Sequence, residues 1–238
     1  MTPRRFCLNL KVMNYNNTAK GRFINRPNRF IAQVEIENQI HTVHVKNTGR
    51  CRELLTDSAV VILEESQNPA RKTKYDLIAV YKGDNLINMD SQAPNNAVGE
   101  WLKKGKFIKN PTLIKAEKTF GSSRLDFYVE SQKEKTFIEV KGVTLEVNGV
   151  AKFPDAPTQR GAKHLKELIS AKKQGYRAVV LFVIQMNGCK FFTPNADTDP
   201  LFAKALKEAK ENGVEIVAAD CIVTENSMTI DKSIEVKL

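Results

Sequence analysis

Apolar and polar residues alternate in two neighbouring stretches near the middle of the chain, residues 124–129 and 138–141. Successive side chains on a β-strand point to opposite faces. The alternation therefore predicts two strands, joined as a hairpin by the polar run between them. Asp126 then lies on the polar face of the first strand, and Glu139 and Lys141 lie on the polar face of the second. If the strands pair, these three side chains converge beside an apolar layer.

Short strand patterns separated by turns fill residues 21–82. Apolar residues stand at alternate positions in residues 30–36, and strand-like apolar runs follow at 60–63 and 75–81. About five strands in this length predict a small β-barrel of the oligonucleotide-binding (OB) kind. An SH3-like barrel would give much the same pattern.

Turn-forming residues at positions 83–85 predict a joint between two domains, residues 13–83 and residues 84–238. In the second domain, the continuous apolar run 178–184 is typical of a central strand that is covered on both faces. The tail from Met228 is predicted to add an edge strand.

Three helices are expected among the strands of the second domain. Asn95 or Asn96 is predicted to cap the first helix and Thr158 the second, because short polar side chains accept hydrogen bonds from the unpaired N–H groups of a first helical turn. The third helix is expected to start at residues 199–200, while residues 112–120 fit either a helix or a strand. This order predicts an α/β domain with a mixed sheet.

Charge is distributed unevenly along the chain. The net charge is +10, and most of the excess of Lys and Arg falls in residues 1–82. A basic N-terminal domain is expected to bind a polyanion, most simply nucleic acid, with DNA ahead of RNA. Aromatic residues are few in this part of the chain, so a broad platform for base stacking is not predicted.

Several classes of protein are disfavoured by what the sequence lacks. No apolar run reaches the roughly 20 residues of a membrane helix. Residues 1–12 carry charge without a following apolar segment, which argues against a secretory signal. They are expected to be a poorly ordered extension, or Met13 is the true start. The four cysteines form no CxxC pair, which disfavours zinc and favours reduced thiols in the cytoplasm.

Basic and polar residues cluster at the joints of the N-terminal strands. Loops at the mouth of a small barrel are where phosphate contacts usually fall, and Arg can bind a phosphate through two donors. Asn47 and the following Gly49 are also expected to make a turn. The nucleic-acid contacts predicted in this domain are Arg26, Arg29, Asn47, Arg50, Arg71 and Lys72.

The hairpin in the second domain carries the residue types that phosphodiester hydrolysis needs. Mg²⁺ or Mn²⁺ prefers oxygen ligands, so Asp126 and Glu139 are predicted to hold the ion, with the Val140 carbonyl as a third oxygen and Glu117 as an outer ligand. Lys141 is predicted to orient the attacking water or to stabilise charge on the phosphate. Charged residues make up 27% of the chain, so the same spacing also fits an exposed structural strand.

Further contacts to phosphate are predicted around this hairpin. Arg124 shares the polar face of Asp126. Arg160 and His164 stand four positions apart, so they lie together at the N-terminal end of the second predicted helix. A helix N-terminus favours bound phosphate. A histidine in such a place is also often purely structural.

Two longer sets of residues resemble the sugar fermentation stimulation protein A family. The N-terminal set comprises Phe23 and residues 26–30, 44–50, 53–55 and 71–73. The C-terminal set comprises residues 123–127, 138–141, 153–156, Thr158, residues 160–161 and 163–165. The similarity runs in order along most of the chain.

The resemblance implies an OB-like N-terminal domain and a C-terminal domain similar to those of PD-(D/E)xK nucleases. Asp126, Glu139 and Lys141 match the catalytic positions of that superfamily. The resemblance also implies DNA binding and a link to the regulation of sugar catabolism. Because the superfamily contains both active nucleases and inactive binding proteins, the chemistry stays open.

Three functions compete at this point. The Asp126, Glu139 and Lys141 set favours a metal-dependent nuclease. The basic N-terminal domain favours a non-catalytic DNA-binding regulator of sugar catabolism genes, although no helix-turn-helix pattern supports the reading of an operator. An enzyme acting on a phosphorylated small molecule is the weakest alternative, because the chain has neither a P-loop nor a Rossmann fingerprint.

Overall fold

The computed structural model describes residues 5–7, 13–47 and 49–238, which form two domains. The strands are β1 (Arg5–Cys7), β2 (Thr18–Asn28), β3 (Ile31–Ile36), β4 (Gln39–Val45), β5 (Val60–Glu65), β6 (Tyr75–Lys82), β7 (Asn85–Asn88), β8 (Leu113–Phe120), β9 (Ser123–Glu130), β10 (Lys135–Val143), β11 (Leu145–Val147), β12 (Val150–Phe153), β13 (Arg177–Ile184), β14 (Phe191–Pro194), β15 (Glu215–Thr224) and β16 (Ser227–Val236). The helices are α1 (Ala93–Lys103), α2 (Gln159–Lys173) and α3 (Pro200–Glu211).

Strands β2 to β6 form the N-terminal domain, a closed five-stranded barrel of the OB kind. Their order is β4-β3-β2-β5-β6, and a parallel pairing of β4 with β6 closes the barrel. Strand β2 pairs with β5 through residues 18–22 and with β3 through residues 22–28, so it bends from one neighbour to the other. Gly21 stands at this bend, where a Cβ would lie 2.8 Å from the Glu35 carbonyl oxygen. The predicted barrel is confirmed.

The buried side-chain amide of Gln185 connects the end of the N-terminal sheet to the second domain. Strand β7 pairs with β6, so the six-stranded sheet ends at Asn88, and the predicted joint at residues 83–84 falls in the turn between these two strands. Gln185 follows β13 and is 2% exposed. Its Nε2 lies 3.0 Å from Asn88 Oδ1 and 3.1 Å from the carbonyl oxygens of Asn88 and Asp90. One side chain therefore ties β7 and the following segment to the central strand of the other sheet.

The second domain is built on a mixed sheet, as predicted, and this sheet has ten strands in the described part of the chain. The strand order is β1-β8-β9-β10-β13-β15-β16-β14-β12-β11. Strand β13 lies in the interior of this sheet, parallel to both β10 and β15. Helix α1 packs on one face through Val98 and Leu102, beside Leu181 of β13. Helices α2 and α3 pack on the other face, where Leu168 and Phe202 bury with the aromatic side chains of the sheet.

Two of the predicted element positions in this domain were wrong. Helix α1 begins after Gln92, with Pro94 in its first turn, so neither Asn95 nor Asn96 caps it. Proline favours this position because its fixed φ suits the first helical turn and its missing N–H is not needed there. The strand from Ser227 is an interior strand, because β14 pairs with it on the side away from β15.

Other local predictions are confirmed. The Thr158 hydroxyl accepts a hydrogen bond from the Gly161 N–H and caps α2, and Asp199 caps α3. Residues 112–120, which fit either pattern, contribute strand β8. Within residues 1–12, the backbone of Arg5–Cys7 pairs in parallel with β8, and the remaining residues lie outside the described part of the chain. None of the helices described is both long and apolar enough to span a membrane.

The role of the buried amide gives a stability test. Gln185→Glu replaces a donor with a carboxylate that faces three acceptors, so we expect the free energy of unfolding to fall by about 3 kcal/mol or more. Urea titration followed by circular dichroism measures this change. Gln39→Glu makes the same replacement at an exposed barrel position and should change stability little. Equal effects of the two variants would show that the Gln185 amide does not hold the domains together.

Candidate functional site

The site forms where the β9–β10 hairpin splits. The two strands pair between residues 127–130 and residues 135–138, and β10 then continues beside β13 alone. The Asp126 side chain enters the gap, and its Oδ2 accepts a hydrogen bond of 2.7 Å from the Val140 N–H. A carboxylate therefore takes the place of a backbone carbonyl in the ladder. The structure brings Asp126, Glu139 and Lys141 together, as the alternating pattern predicts.

Glu139 is the most deeply buried group of the site, at 2% exposed. Its Oε1 accepts hydrogen bonds from Lys141 Nζ, at 2.6 Å, and from His164 Nδ1. Its Oε2 is buried and has no hydrogen-bond partner among the residues that the structure describes. A buried carboxylate oxygen without a partner is costly, so a cation or a water molecule is expected to meet this atom.

His164 supports Glu139 instead of facing solvent. It is buried on α2, and the Arg160 Nε–H donates to its Nε2 at 3.4 Å. Because Nε2 is then the acceptor, the proton of the neutral ring lies on Nδ1, which donates to Glu139. His164 is thus placed to orient a carboxylate, and the phosphate contact predicted for it would require the ring to leave this position. Arg160 is exposed at the start of α2.

Asn95 is a site residue that the sequence analysis missed. It lies in the first turn of α1, and its Nδ2 donates to Asp126 Oδ1 at 3.0 Å. A capping role was predicted for its side chain, because helix starts and polar contacts to a distant strand use the same residue types. Only the packing of α1 on the sheet distinguishes the two.

The pKa values of the two carboxylic acids move in opposite directions. Burial raises the pKa of Asp126 to about 6, and the negative charge of Glu139 adds to this effect. Burial also acts to raise the pKa of Glu139, but the hydrogen bonds from His164 and Lys141 and the charge of Lys141 outweigh it and lower that pKa. Asp126 is therefore the group that a bound cation would stabilise most in its charged form.

Glu117 lies on β8 opposite Asp126 in the strand register, but its carboxylate pairs with Arg124. The pairs on either side of it, Ala116 with Phe127 and Lys118 with Leu125, place Glu117 opposite Asp126. The backbone φ of Glu117 is 56°. This angle lies in the left-handed region, which is strained for a residue other than glycine. Its carboxylate pairs with Arg124 Nε at 2.5 Å, and both side chains are more than half exposed. Glu117 as an outer metal ligand and Arg124 as a phosphate contact remain predictions.

Arg26 of the N-terminal domain is occupied by backbone carbonyls. Its Nη1 donates to the carbonyl oxygens of Gly49 and Arg50, at 2.9 Å and 3.0 Å. Its Nη2 donates to those of Arg29 and Asn47, at 2.7 Å and 2.6 Å. The guanidinium thus holds two loops together, and Arg29 and Arg50 project from them as exposed side chains. Asn47 Oδ1 accepts a hydrogen bond from the Gly49 N–H, which makes the expected turn.

Arg71 is also paired within the protein. Its two Nη atoms lie 2.9 Å and 2.6 Å from the carboxylate of Asp76, which also contacts His44. Burial acts to raise the pKa of Asp76, but the hydrogen bonds from Arg71 and His44 and the charge of Lys46 lower it to about 2. Lys72, next to Arg71, is exposed and remains a predicted contact.

Comparison with known proteins gives matches over nearly the whole chain. A family model described as "SfsA N-terminal OB domain" matches residues 24–89, and one described as "Sugar fermentation stimulation protein RE domain" matches residues 92–227. Sugar fermentation stimulation protein homologs from Clostridium beijerinckii and Ruminiclostridium cellulolyticum are 58% and 54% identical over 226 residues, which cover 95% of this chain and 100% of each relative.

One solved structure resembles both domains. The structure of Pyrococcus furiosus SfsA in complex with Ca²⁺ superposes with a TM-score of 0.87, at 29% sequence identity. The alignment covers 96% of this chain and 99% of that chain. The barrel and the mixed sheet therefore occur together in a related protein.

The raised pKa of Asp126 predicts how stability depends on pH. The folded protein binds this proton more tightly than the unfolded chain, whose pKa is near the ordinary 3.8. The contribution of Asp126 to the stability of the metal-free protein should therefore fall as the pH rises from about 4 to about 6, and it should not return above pH 6. Asp126→Asn stays neutral, so at pH 8 in chelator we expect its free energy of unfolding to exceed that of the parent by roughly 2 kcal/mol.

Urea titrations at pH 5 and pH 8 measure this difference. Asp197→Asn removes an exposed carboxylate and should follow the parent at both pH values. If Asp126→Asn is no more stable than the parent at pH 8, ionisation of Asp126 does not destabilise the folded protein.

Proposed function

The chain belongs to the sugar fermentation stimulation protein family, and on that premise we propose that it binds nucleic acid and hydrolyses phosphodiester bonds with Mg²⁺ or Mn²⁺. The observation that carries this proposal is the buried Glu139 Oε2, which lacks a partner among the described residues beside a second, partly buried carboxyl group, Asp126. A purely structural site would not need two acids at this depth with one oxygen left unpaired.

The residues at the split hairpin fit a divalent cation. Asp126 and Glu139 offer carboxylate oxygens, and the Val140 carbonyl, next to the N–H that binds Asp126, is the third predicted ligand. Mg²⁺ and Ca²⁺ both take oxygen ligands, and the related Pyrococcus furiosus protein is described in complex with Ca²⁺. When bound, such an ion polarises the phosphoryl group and lowers the pKa of a coordinated water.

The remaining side chains have separate tasks in this proposal. Lys141 is 14% exposed and its Nζ is held by Glu139 Oε1, so the ammonium stands at the edge of the site. From there it orients the attacking water or stabilises the charge that develops on the phosphate oxygens. Arg160 directs its Nε to His164, and its terminal Nη groups are proposed to contact a phosphate of the bound strand.

The alternative is a DNA-binding regulator that keeps the fold without cutting. The exposed arginines of the N-terminal loops favour it, because they support binding whether or not hydrolysis follows. The two functions differ in what happens to a bound strand when Mg²⁺ or Mn²⁺ is added. Cleavage is therefore the measurement that separates them.

Cleavage should depend on the three residues of the hairpin. End-labelled single- and double-stranded DNA and RNA are incubated with the full chain and Mg²⁺ or Mn²⁺, and the products are resolved on denaturing gels. We expect cutting by the parent, and a loss of about 100-fold or more in Lys141→Ala, Glu139→Gln and Asp126→Asn.

Lys207→Ala and Glu208→Gln on the exposed face of α3 make matched charge changes and should cut at the rate of the parent. If the parent cuts none of the four substrates, or if the hairpin variants cut as well as these controls, the nuclease proposal fails and the regulator remains.

Metal affinity should depend on His164, which orients Glu139. His164→Ala removes the Nδ1–H donor, and we expect the dissociation constant for Mn²⁺ to rise about 10- to 100-fold, as for other residues that orient a metal ligand. The amide N–H of His164→Asn can replace that donor and should recover most of the affinity. Titration calorimetry on the full chain measures both. An unchanged affinity in His164→Ala would show that Glu139 needs no support from α2.

A further inference from the structure

Phe30 is an exposed aromatic residue at the mouth of the barrel. With Arg29 it forms the short turn between β2 and β3, and its side chain is 51% exposed. The Arg29 guanidinium lies 5.9 Å from the centroid of the Phe30 ring. An aromatic ring beside a guanidinium presents two flat surfaces on which a base can stack.

A groove lined by arginines adjoins this turn. Its volume is about 360 Å³, and it is lined by Arg26, Asn28, Arg29, Gly49, Arg50, Arg52 and Ala156. The side chains of Arg29, Arg50 and Arg52 are exposed. Among the described residues, no carboxylate pairs with any of these three, whereas Arg71, Arg124 and Arg177 are all paired. Three positive charges without internal partners are available for an anionic ligand.

The groove is preorganised by Arg26. This one guanidinium binds the carbonyls of Arg29 on one loop and of Asn47, Gly49 and Arg50 on the other. Both walls are therefore fixed relative to each other before any ligand arrives. Fixing the walls lowers the entropic cost of binding.

One residue of the second domain also lines the groove. Ala156, in its lining, belongs to the segment between β12 and α2 of the second domain. Asp155 of the same segment is so close to Gly49 that a Cβ there would lie 2.5 Å from Asp155 Oδ2. Two residues after Ala156, Thr158 caps α2, whose first turn carries Arg160. The segment that closes one side of the groove thus leads directly into the helix that orients Glu139.

We propose that this groove binds single-stranded nucleic acid, with Phe30 stacking on an unpaired base and Arg29, Arg50 and Arg52 contacting phosphates. The inference rests on the proposed function and names the strandedness of its substrate. A duplex hides its base faces by internal stacking and offers Phe30 no surface. Few aromatic residues are needed for this mode, because a single stacking position fixes one base while the arginines hold the backbone.

Fluorescence anisotropy with the full chain in excess chelator tests binding without cleavage. The probes are labelled dT and U oligonucleotides of about 12 nucleotides, a length in the range that one OB-fold covers, and a mixed-sequence duplex of the same length. We expect both single strands to bind at least about fivefold more tightly than the duplex. Comparison of the dT and U probes tells DNA from RNA.

Variants of the groove separate stacking from charge. Phe30→Ala should weaken single-strand binding about tenfold and leave duplex binding unchanged, while Phe30→Trp should keep single-strand affinity. Arg50→Ala and Arg52→Ala should each weaken binding and reduce the steepness of its salt dependence by roughly 0.7. Lys207→Ala, on the exposed face of α3 and outside the groove lining, should leave both quantities unchanged. Thermal melts confirm that each variant is folded.

Two results would overturn the inference: duplex binding as tight as single-strand binding, or full single-strand affinity in Phe30→Ala. Neither touches the nuclease proposal, which is decided by cleavage with metal present. Conversely, a parent that binds single strands through Phe30 but cuts nothing supports this inference while the nuclease proposal fails.

Discussion

Repulsion between a buried and a partly buried carboxyl group is the constraint around which the second domain is arranged. Asp126 and Glu139 come from adjacent strands and are both withdrawn from water, so each needs donors from elsewhere. Four donor groups on three elements supply these hydrogen bonds: the Val140 N–H and the Lys141 ammonium on β10, Asn95 on α1 and His164 on α2. Helices on both faces of the sheet thus contribute to one site, and moving either helix would remove a donor from one of the two carboxyl groups.

The sequence predicted those parts of the fold that depend on near neighbours. Alternation over a few residues was enough for β9 and β10, because side-chain direction on a strand is set locally. The same holds for the Thr158 cap, which bonds a group three residues away. The convergence of Asp126, Glu139 and Lys141 could be predicted because a short turn connects β9 to β10 and makes them neighbours in the sheet.

The residues that support the site could not be predicted in the same way. Asn95 and Asp126 are 31 positions apart. No periodic pattern in the sequence indicates which residue of α1 lies next to Asp126 of β9. The sequence alone could not distinguish the role of Arg26 from that of Arg29, because both are arginines near the same predicted turn. Their different tasks follow from where the neighbouring carbonyls lie, a property of the folded barrel. The interior place of β16 was missed for a similar reason, since β14 comes to it from a distant part of the chain.

Arginine and lysine carry the same charge, but lysine cannot replace arginine at Arg26. Its planar fork reaches four carbonyl oxygens in different directions, and the single ammonium of lysine cannot cover such a spread. At Arg50 or Arg52 a lysine would keep most of what a phosphate requires, namely a positive charge on a long side chain. Among related proteins, lysine should therefore replace arginine at the positions of Arg50 and Arg52 along the groove. At the position of Arg26, which holds the groove together, arginine should be retained.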